Sequence, residues 1–489
     1  MKNIFANIVL ALILILSMSA LAISRNTPMM DGLDRTKRPV PKPAPVIHLP
    51  DIQKTTLKNG LKVWLVEMHK LPTVAFSLVI NAGSDHDPSD KPGLASITAD
   101  MMTEGTSNRD ALKISEDLDE IGARLNANAG TDGAFVSMSV LSKFLDKAID
   151  IFSDVLSNPL YAQDDFKRVK SQRLTALIQQ RDRPPVIANN AFSYILYTPQ
   201  HPYGNNPTGT ETSLKAMTRE DLSAFYKKYF RPNNATLIVV GDATLNDIVP
   251  KLETSLAGWT PGDVAAMTIP DPKPVDKMRV YLIDKPGAAQ SEIRIGYPAL
   301  ARSTPDYFAV RVMNQILGGQ FSSRINLNLR EKHGYTYGAR SGFSFQKGVG
   351  PFTAQAGVVT DKTDSSVVEF LNEIHAMHDS GMTAEELSYA KKGMIGGFAL
   401  SFETSGQIAG TLQSLVLYNL PDNYFTTYLQ NIDAVSLNDV QRVSKQYLDA
   451  SHMAVVVVGD LAKIKAGIVA LNLGDVILCD SDGKPIEAH

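Results

Sequence analysis

The feature that most constrains the fold is an internal repeat, whose two copies lie 218 positions apart. Each copy contains a segment with helical periodicity, 217–229 and 435–447, that ends on a tyrosine. Each then has an apolar, strand-like run that closes on Gly-Asp, at Gly241 and at Gly459. A repeat of about 200 residues is too long for one unit of a solenoid, so the pattern predicts a duplicated domain.

The boundary between the two copies is a proline-rich stretch at 259–275, with prolines at 261, 270, 272 and 274. Proline at this density is typical of a linker. We therefore assign residues 51–258 to an N-terminal domain, 276–475 to a C-terminal domain and 476–489 to a tail. The chain length of 489 residues suits this division, because domains usually have about 100 to 200 residues.

Within each domain, short apolar runs alternate with longer helical patterns. Asn59-Gly60 between two apolar alternations predicts a β-hairpin. Further strands are predicted at 74–80, 124–128, 135–141, 279–283 and 292–297, and helices at 114–121, 145–156, 164–181 and 306–317. Because this order lacks a parallel β-α-β rhythm, the predicted fold class is α+β, with layered sheets and helices.

The N-terminus has the pattern of a secretory signal peptide at 1–24, with Lys2, an apolar run and small residues before a cleavage point. An uncleaved membrane anchor is the alternative, because the apolar run continues almost to residue 23. Residues 25–50 form a proline-rich leader. We expect the protein in the periplasm, or in the inner membrane facing it. The net charge of −3 gives no sign of nucleic-acid binding, and a single cysteine, Cys479, excludes an internal disulfide.

The stretch 93–106 has the periodicity of a helix with one buried side. Leu94 and Ile97 fall at helical spacing and predict that side. Ser96, Ala99 and Asp100 share the opposite side, where a functional helix would carry its polar groups.

This helix resembles the zinc helix of the pitrilysin/insulinase family of metallopeptidases. In that family, an inverted H-x-x-E-H motif supplies two zinc-binding histidines and a glutamate that acts as general base. The resemblance places Ser96 and Asp100 at the histidines and Ala99 at the glutamate, and Ala176 at a third ligand on a later helix. We call these four residues the motif positions. Because catalytic zinc needs three protein ligands, we expect neither a metal nor a catalytic residue in this chain.

The resemblance covers residues 50–470 and includes His201-Pro202-Tyr203-Gly204. It implies two homologous α/β-sandwich domains of the pitrilysin/mitochondrial-processing-peptidase type, which form one half of a clam-shell. In the family's C-terminal domain, an arginine and a tyrosine seven residues later hold the substrate backbone near the scissile bond. Arg330 and Tyr337 match these positions. Tyr335 is a rival to Tyr337, but the spacing favours Tyr337.

The resemblance thus implies a non-catalytic, substrate-binding subunit of a secreted zinc metallopeptidase. An H-x-x-E-H partner chain would supply the zinc, and the heterodimer would enclose an unfolded peptide. Arg330 and Tyr337 would bind this peptide, since a guanidinium and a phenol can both donate hydrogen bonds to carbonyl oxygens.

Two alternatives stay open. One is a metal-free peptide-binding or scaffold protein, similar to the core subunits of respiratory complexes that keep this fold without hydrolysis. The other is a zinc peptidase with relocated ligands, such as His86 together with Asp100. His375 and His378 are spaced to share a helix face, and a polar face is a better explanation for them than a metal site.

Overall fold

The computed structural model of the protein describes residues 51–486. The predicted signal peptide, 1–24, and leader, 25–50, lie outside these residues. Between 51 and 486, no helix combines the length and the apolar character that crossing a bilayer requires. The described chain has an α+β fold with two six-stranded mixed sheets, one in each half.

The first half contains six strands and eight helices. Its strands are β1 (Gln53–Thr56), β2 (Lys62–Glu67), β3 (Thr73–Ile80), β4 (Arg124–Ala129), β5 (Ala134–Leu141) and β6 (Ala235–Gly241). Its helices are α1 (Leu94–Asp100), α2 (Ala111–Glu120), α3 (Leu145–Ser157), α4 (Gln163–Arg181), α5 (Pro184–Tyr197), α6 (Glu211–Ala216), α7 (Arg219–Tyr229) and α8 (Leu245–Ser255).

The second half has the same kinds of element. Its strands are β7 (Arg279–Asp284), β8 (Gln290–Leu300), β9 (Thr336–Phe343), β10 (Gly350–Val359), β11 (Ala454–Gly459) and β12 (Asp475–Cys479). Its helices are α9 (Tyr307–Asn314), α10 (Arg324–Asn326), α11 (Thr363–Ser380), α12 (Ala384–Phe398), α13 (Ser405–Leu417), α14 (Tyr424–Ala434), α15 (Leu437–Tyr447) and α16 (Leu461–Ala470). Residues 260–276 between the halves contain neither helix nor strand.

The internal repeat is confirmed at the level of single elements. Helices α7 and α15 occupy equivalent positions, and both begin with a capping box, on Thr218 and Ser436 respectively. The hydroxyl of each cap residue accepts a hydrogen bond from the backbone N–H three positions later, which fixes where the helix begins. Strands β6 and β11 follow at equivalent places and are buried along their whole length.

The two sheets have the same topology in five of their six strands. Their orders are β1-β2-β6-β3-β5-β4 and β12-β7-β11-β8-β10-β9, with β2 parallel to β6 and β7 parallel to β11. The sixth strand comes from opposite ends of the described chain: β1 forms a hairpin with β2, while β12 lies parallel to β7. The segment 476–489 is therefore not only a tail, because apolar residues such as Ile477 and Leu478 complete the second sheet.

Each half places one helix on the sheet of the other half. Helix α13 packs against β3 and β6, where Gln413 donates a hydrogen bond of 2.7 Å to the hydroxyl of Ser77. Helix α5 packs in return against β8 and β11, with Phe192 in the same apolar cluster as Val456. Because both of their faces are covered, β6 and β11 are buried along their whole length. The domain limits drawn from the linear sequence do not anticipate this exchange.

Candidate functional site

Helix α1 presents three of the four motif positions. It begins after Gly93, whose φ of 93° is favourable for glycine. The carboxylate of Asp87 accepts hydrogen bonds of 2.7 Å from the backbone N–H groups of Gly93 and Ala95. Burial raises the pKa of Asp87 to about 7, while these N–H donors act in the opposite direction. The α-helix ends at Asp100 and continues as a short 3₁₀ turn, so the predicted helix over 93–106 is shorter than expected.

An arginine fills the space between the motif positions. Arg173, on α4, donates a hydrogen bond of 3.1 Å to the hydroxyl of Ser96 and forms an ion pair with Asp100. Ala176 lies about one turn further along α4, and together with Asp100 and Arg173 it lines a shallow pocket. A guanidinium therefore lies between the two side chains that match the family's histidines.

The residues at the motif positions do not fit zinc. They provide a hydroxyl, two methyl groups and one carboxylate, and that carboxylate is already paired with Arg173. Zinc in a catalytic site takes three nitrogen, sulfur or carboxylate ligands, and a neighbouring cation opposes its binding. Across residues 51–486, no group of three or more His, Cys, Asp or Glu side chains is placed to hold a metal ion.

The relocated zinc site with His86 and Asp100 is not formed either. His86 Nδ1 lies 2.6 Å from a carboxylate oxygen of Asp85, and the imidazole packs edge-on against Tyr229. Asp100 is held by Arg173. His378 has Asp379 as its neighbour at 2.7 Å, on the exposed face of α11.

Arg330 and Tyr337 line one groove in the second half, which we call the Arg330 groove. It has a volume of about 630 Å³. Arg330 lies in a π-helical turn, Leu327–Lys332, and its guanidinium carbon is 4.6 Å from the centroid of the Phe321 ring. Tyr337 lies near the start of β9 and is 90% exposed. The structure thus brings together the two residues that the resemblance selected.

The floor of the Arg330 groove is a buried ion pair that sequence reasoning missed. Arg294, on β8, donates a hydrogen bond of 2.9 Å to Glu292 and another of 2.9 Å to Asn189 on α5. Burial lowers the pKa of Arg294, with Glu292 opposing that effect. Arg340, on β9, also lines the groove. Charged residues at alternate positions of a predicted strand, as at 292 and 294, are the signal that could have revealed this floor.

The rival tyrosine points elsewhere. Tyr335 stacks on His333 with ring centroids 4.9 Å apart, and it is not among the residues that line the Arg330 groove. Arg173 was also missed as a site residue. The signal in the sequence was a basic side chain about one helical turn before Ala176, the position that matches the third zinc ligand.

Comparisons with known proteins agree with this picture. The model described as insulinase, peptidase family M16, matches residues 62–197, and the model described as peptidase M16 inactive domain matches residues 216–394. The chain is 25% identical over 412 residues to a protein of Helicobacter pylori named non-peptidase homolog YmxG, covering 83% of this chain and 94% of that protein. It is 27% identical over 336 residues to a protein of Rickettsia felis named an uncharacterized zinc protease, covering 68% and 80%.

The fold is also found among solved structures. A crystal structure described as the peptidase M16 inactive domain from Pseudomonas fluorescens superposes with a TM-score of 0.78 and 28% sequence identity. The match covers 84% of this chain and 98% of that chain, so nearly all of the described fold is shared.

Proposed function

The chain belongs to peptidase family M16, the insulinase family, and we propose that it is a non-catalytic, peptide-binding subunit of a zinc metallopeptidase whose metal is held by a partner chain. The observation that carries this proposal is the contrast between two places in the structure. Arg173 fills the space between the motif positions, while Arg330 and Tyr337 face one open groove.

The pocket at the motif positions cannot activate water. Hydrolysis of a peptide by this family's chemistry needs a bound metal and a general base, and Ala99 carries no group that can accept a proton. The chain therefore needs another polypeptide for hydrolysis. We propose an M16 chain with an intact H-x-x-E-H motif as that partner, and an unfolded peptide as the substrate enclosed between them.

The Arg330 groove has groups that can bind the backbone of an extended peptide. The carboxylate nearest to Arg330 is that of Glu331, at 3.4 Å from Nε, so the terminal N–H groups of the guanidinium are available to peptide carbonyls. Tyr337 lines the same groove with an exposed side chain, so its hydroxyl is open to a ligand. Strand β9 is the outermost strand of its sheet and pairs only with β10 among the described strands. These groups would hold the peptide against the partner's zinc and stabilise charge on the attacked carbonyl oxygen.

The test is reconstitution with the H-x-x-E-H chain encoded in the same genome. Each chain alone should be nearly inactive on an unfolded fluorogenic peptide, and the mixture should cleave it. Arg330→Ala and Tyr337→Phe should each lower kcat/KM of the mixture by about 100-fold, since the loss of one donor to a developing oxyanion has an effect of this size. Arg219→Ala, at a half-exposed arginine on α7 of the first half, is the matched control.

Assembly of each variant is measured in parallel by size-exclusion chromatography. An unchanged rate for Arg330→Ala in an intact complex would reject the role of that residue. No gain of activity on mixing would instead favour the alternative, a metal-free peptide-binding or scaffold protein with the same fold.

We also propose that the pair works outside the cytoplasm. The support is the signal-peptide pattern at 1–24, which implies the periplasm or the periplasmic side of the inner membrane. Fractionation of cells that produce the full chain with a C-terminal tag would test this. Recovery in the cytoplasmic fraction would refute it.

A further inference from the structure

A second cavity lies between four helices of the second half, and we call it the tyrosine cavity. Helices α9, α12, α13 and α14 surround a volume of about 570 Å³. Its walls carry two arginines, Arg302 and Arg311, and four tyrosines, at positions 307, 418, 424 and 428. It shares no residue with the Arg330 groove, so its role is separate from that of the proposed peptide site.

Both arginines are held by aromatic rings instead of carboxylates. Arg302 is 8% exposed, and its guanidinium carbon is 3.6 Å from the ring centroid of Tyr307 and 5.1 Å from that of Tyr424. Arg311 donates a hydrogen bond of 3.0 Å to the hydroxyl of Tyr307. Within residues 51–486, neither guanidinium has an ion-pair partner, and that of Arg302 donates no hydrogen bond.

This arrangement differs from the other arginines of low exposure. Arg109 is paired with three aspartates, Arg294 with Glu292 and Arg324 with Glu386 through two parallel hydrogen bonds. A buried charge without a counter-charge is unfavourable, and a cation–π contact offsets this cost only in part. An anion in the tyrosine cavity would supply the missing counter-charge.

No acidic side chain of the cavity lining supplies this counter-charge. No Asp or Glu is among the lining residues. The carboxylate nearest to Tyr418 is that of Asp132, which lies outside the cavity lining and accepts hydrogen bonds from the hydroxyl of Tyr203 and the backbone N–H of Lys347 as well as attracting the hydroxyl of Tyr418. Burial raises the pKa of Tyr418 to about 12, and burial also raises the pKa of Tyr428 above its usual value. Both phenols therefore stay neutral and keep the O–H that could donate a hydrogen bond.

The aromatic part of the cavity wall indicates which chemical group the ligand has besides its anionic group. Phe345 contacts the ring of Tyr307 with centroids 4.5 Å apart, and Phe398 stacks on Tyr428 with centroids 4.5 Å apart and planes 8° from parallel. A volume of this size is typical of sites for small organic ligands, which combine apolar walls with a few convergent polar groups. Inorganic anions would leave the aromatic surface uncovered.

We propose that the tyrosine cavity binds an organic carboxylate with an aromatic or aliphatic body, its carboxylate on Arg302 and Arg311 and its body against the aromatic wall. Two sources share this chemistry: a free carboxylic acid and the C-terminal residue of a short peptide. A guanidinium binds a carboxylate through paired N–H donors, which gives the site its preference for this group.

The test compares matched probes by isothermal titration calorimetry on the full chain. The probes are 3-phenylpropionate and its neutral amide, the dipeptide Gly-Phe and its C-terminal amide, and inorganic phosphate. We expect the acid form in at least one pair to bind with a Kd of about 1 mM or tighter, and its amide at least about tenfold more weakly. The pair that binds tighter identifies the source.

Variants then locate the binding. Arg302→Gln and Arg311→Gln should each weaken the acid probe by at least about tenfold, or about 1.4 kcal/mol. Arg219→Gln changes a half-exposed arginine that does not line the tyrosine cavity, and it should leave the affinity for the acid probe unchanged. Without ligand, Arg302→Gln should unfold at no lower temperature than the native chain, since it removes a buried unpaired charge.

Several results would overturn the proposal. These are no binding of either acid up to about 10 mM, equal binding of acid and amide, tighter binding of phosphate than of the acids, or unchanged affinity in both arginine variants. The acid and amide comparison on the native chain decides the matter even if a variant fails to fold.

Discussion

The ion pair between Arg173 and Asp100 should stabilise the fold by an amount that a double-mutant cycle can measure. The substitutions are Arg173→Met, which keeps most of the aliphatic stem, and Asp100→Ala. The side chain of Arg173 is 15% exposed and that of Asp100 is 44% exposed. The pair thus lies between exposed pairs, which contribute about 0.2–1 kcal/mol, and buried pairs, whose disruption costs about 3–5 kcal/mol.

We expect a coupling energy of about 1.5 kcal/mol between the two substitutions. Asp100→Ala alone should lower the free energy of unfolding by about 2 kcal/mol, because the guanidinium would keep only Ser96 as a partner. Its buried Nη1 has no partner among the described residues even in the native chain. Arg173→Met alone should cost about 1 kcal/mol, since water can solvate the half-exposed carboxylate. The double variant should lose about 1.5 kcal/mol, less than Asp100→Ala alone.

Urea unfolding followed by tryptophan fluorescence is the suitable assay. Trp259 packs in the apolar cluster that also contains Ala95 and Ile97 of α1, whereas Trp64 on β2 packs against the cluster formed mainly by the second half, so the signal reports the surroundings of this pair together with the contact between the halves. Midpoints and slopes give the free energies, and circular dichroism on the same samples checks that the transition is a single one. A coupling energy below about 0.3 kcal/mol would show that Arg173 does not replace the metal as the charge that holds α1 to α4.

Three further predictions concern other contacts. We expect a variant with His, Glu, His and Glu at the four motif positions to retain one bound zinc per chain after dialysis only when Arg173 is also replaced by Ala, because the guanidinium repels the metal. Equal amounts of bound zinc with Arg173 and with Ala at this position would contradict the prediction. Burial lowers the pKa of the His201 imidazole from its usual 6.5, so below that pH the unfolded chain takes up a proton that the folded chain does not. The free energy of unfolding of the native chain should therefore fall as the pH drops below about 6.5, and that of His201→Gln should fall less. Tyr203→Phe should lower the free energy of unfolding, measured in urea, by about 2 kcal/mol. The reason is that the phenol donates a hydrogen bond of 2.8 Å to Asp132 and accepts one of 2.9 Å from the backbone N–H of Gly348. A decrease below about 0.5 kcal/mol would show that water replaces both hydrogen bonds.

The structural reason for the pH prediction is the tautomer of His201. Its Nε2 lies 2.9 Å from the carbonyl oxygen of Pro270 and must donate, while its Nδ1 accepts from the N–H of Tyr203 at 3.0 Å. Protonation of Nδ1 would place two donors against each other. The folded protein therefore holds the neutral ring, and the ring links the first half to the stretch between the halves.

Much of the fold could be predicted from local patterns. The hairpin at Asn59-Gly60, the strand pair β4 and β5, and the equivalence of α7 with α15 follow from spacing along the chain, because turn, cap and periodicity signals act within a few residues. The strand β12 was missed. Its residues carry an apolar run, but only a neighbour 196 positions earlier, β7, gives that run an edge to pair with.

The candidate site was predictable in part. The absence of histidines and glutamate at the motif positions is a property of the sequence, and so is the spacing of Arg330 and Tyr337. That the latter two share one groove depends on the turn at 327–332 and on the direction of β9. That Glu292 and Arg294 form its floor depends on the helix exchange, since Asn189 comes from the other half.

The sequence by itself determined the duplication, the α+β class and the lack of zinc ligands at the motif positions, because each is encoded in residues that are close together or in a fixed repeat. Only the tertiary structure decided what replaced the metal. Arg173 reaches Asp100 across 73 positions, and Arg302 reaches Tyr424 across 122 positions. Such contacts arise where helices from distant segments meet over a common core, and no local pattern records which side chains will face each other there.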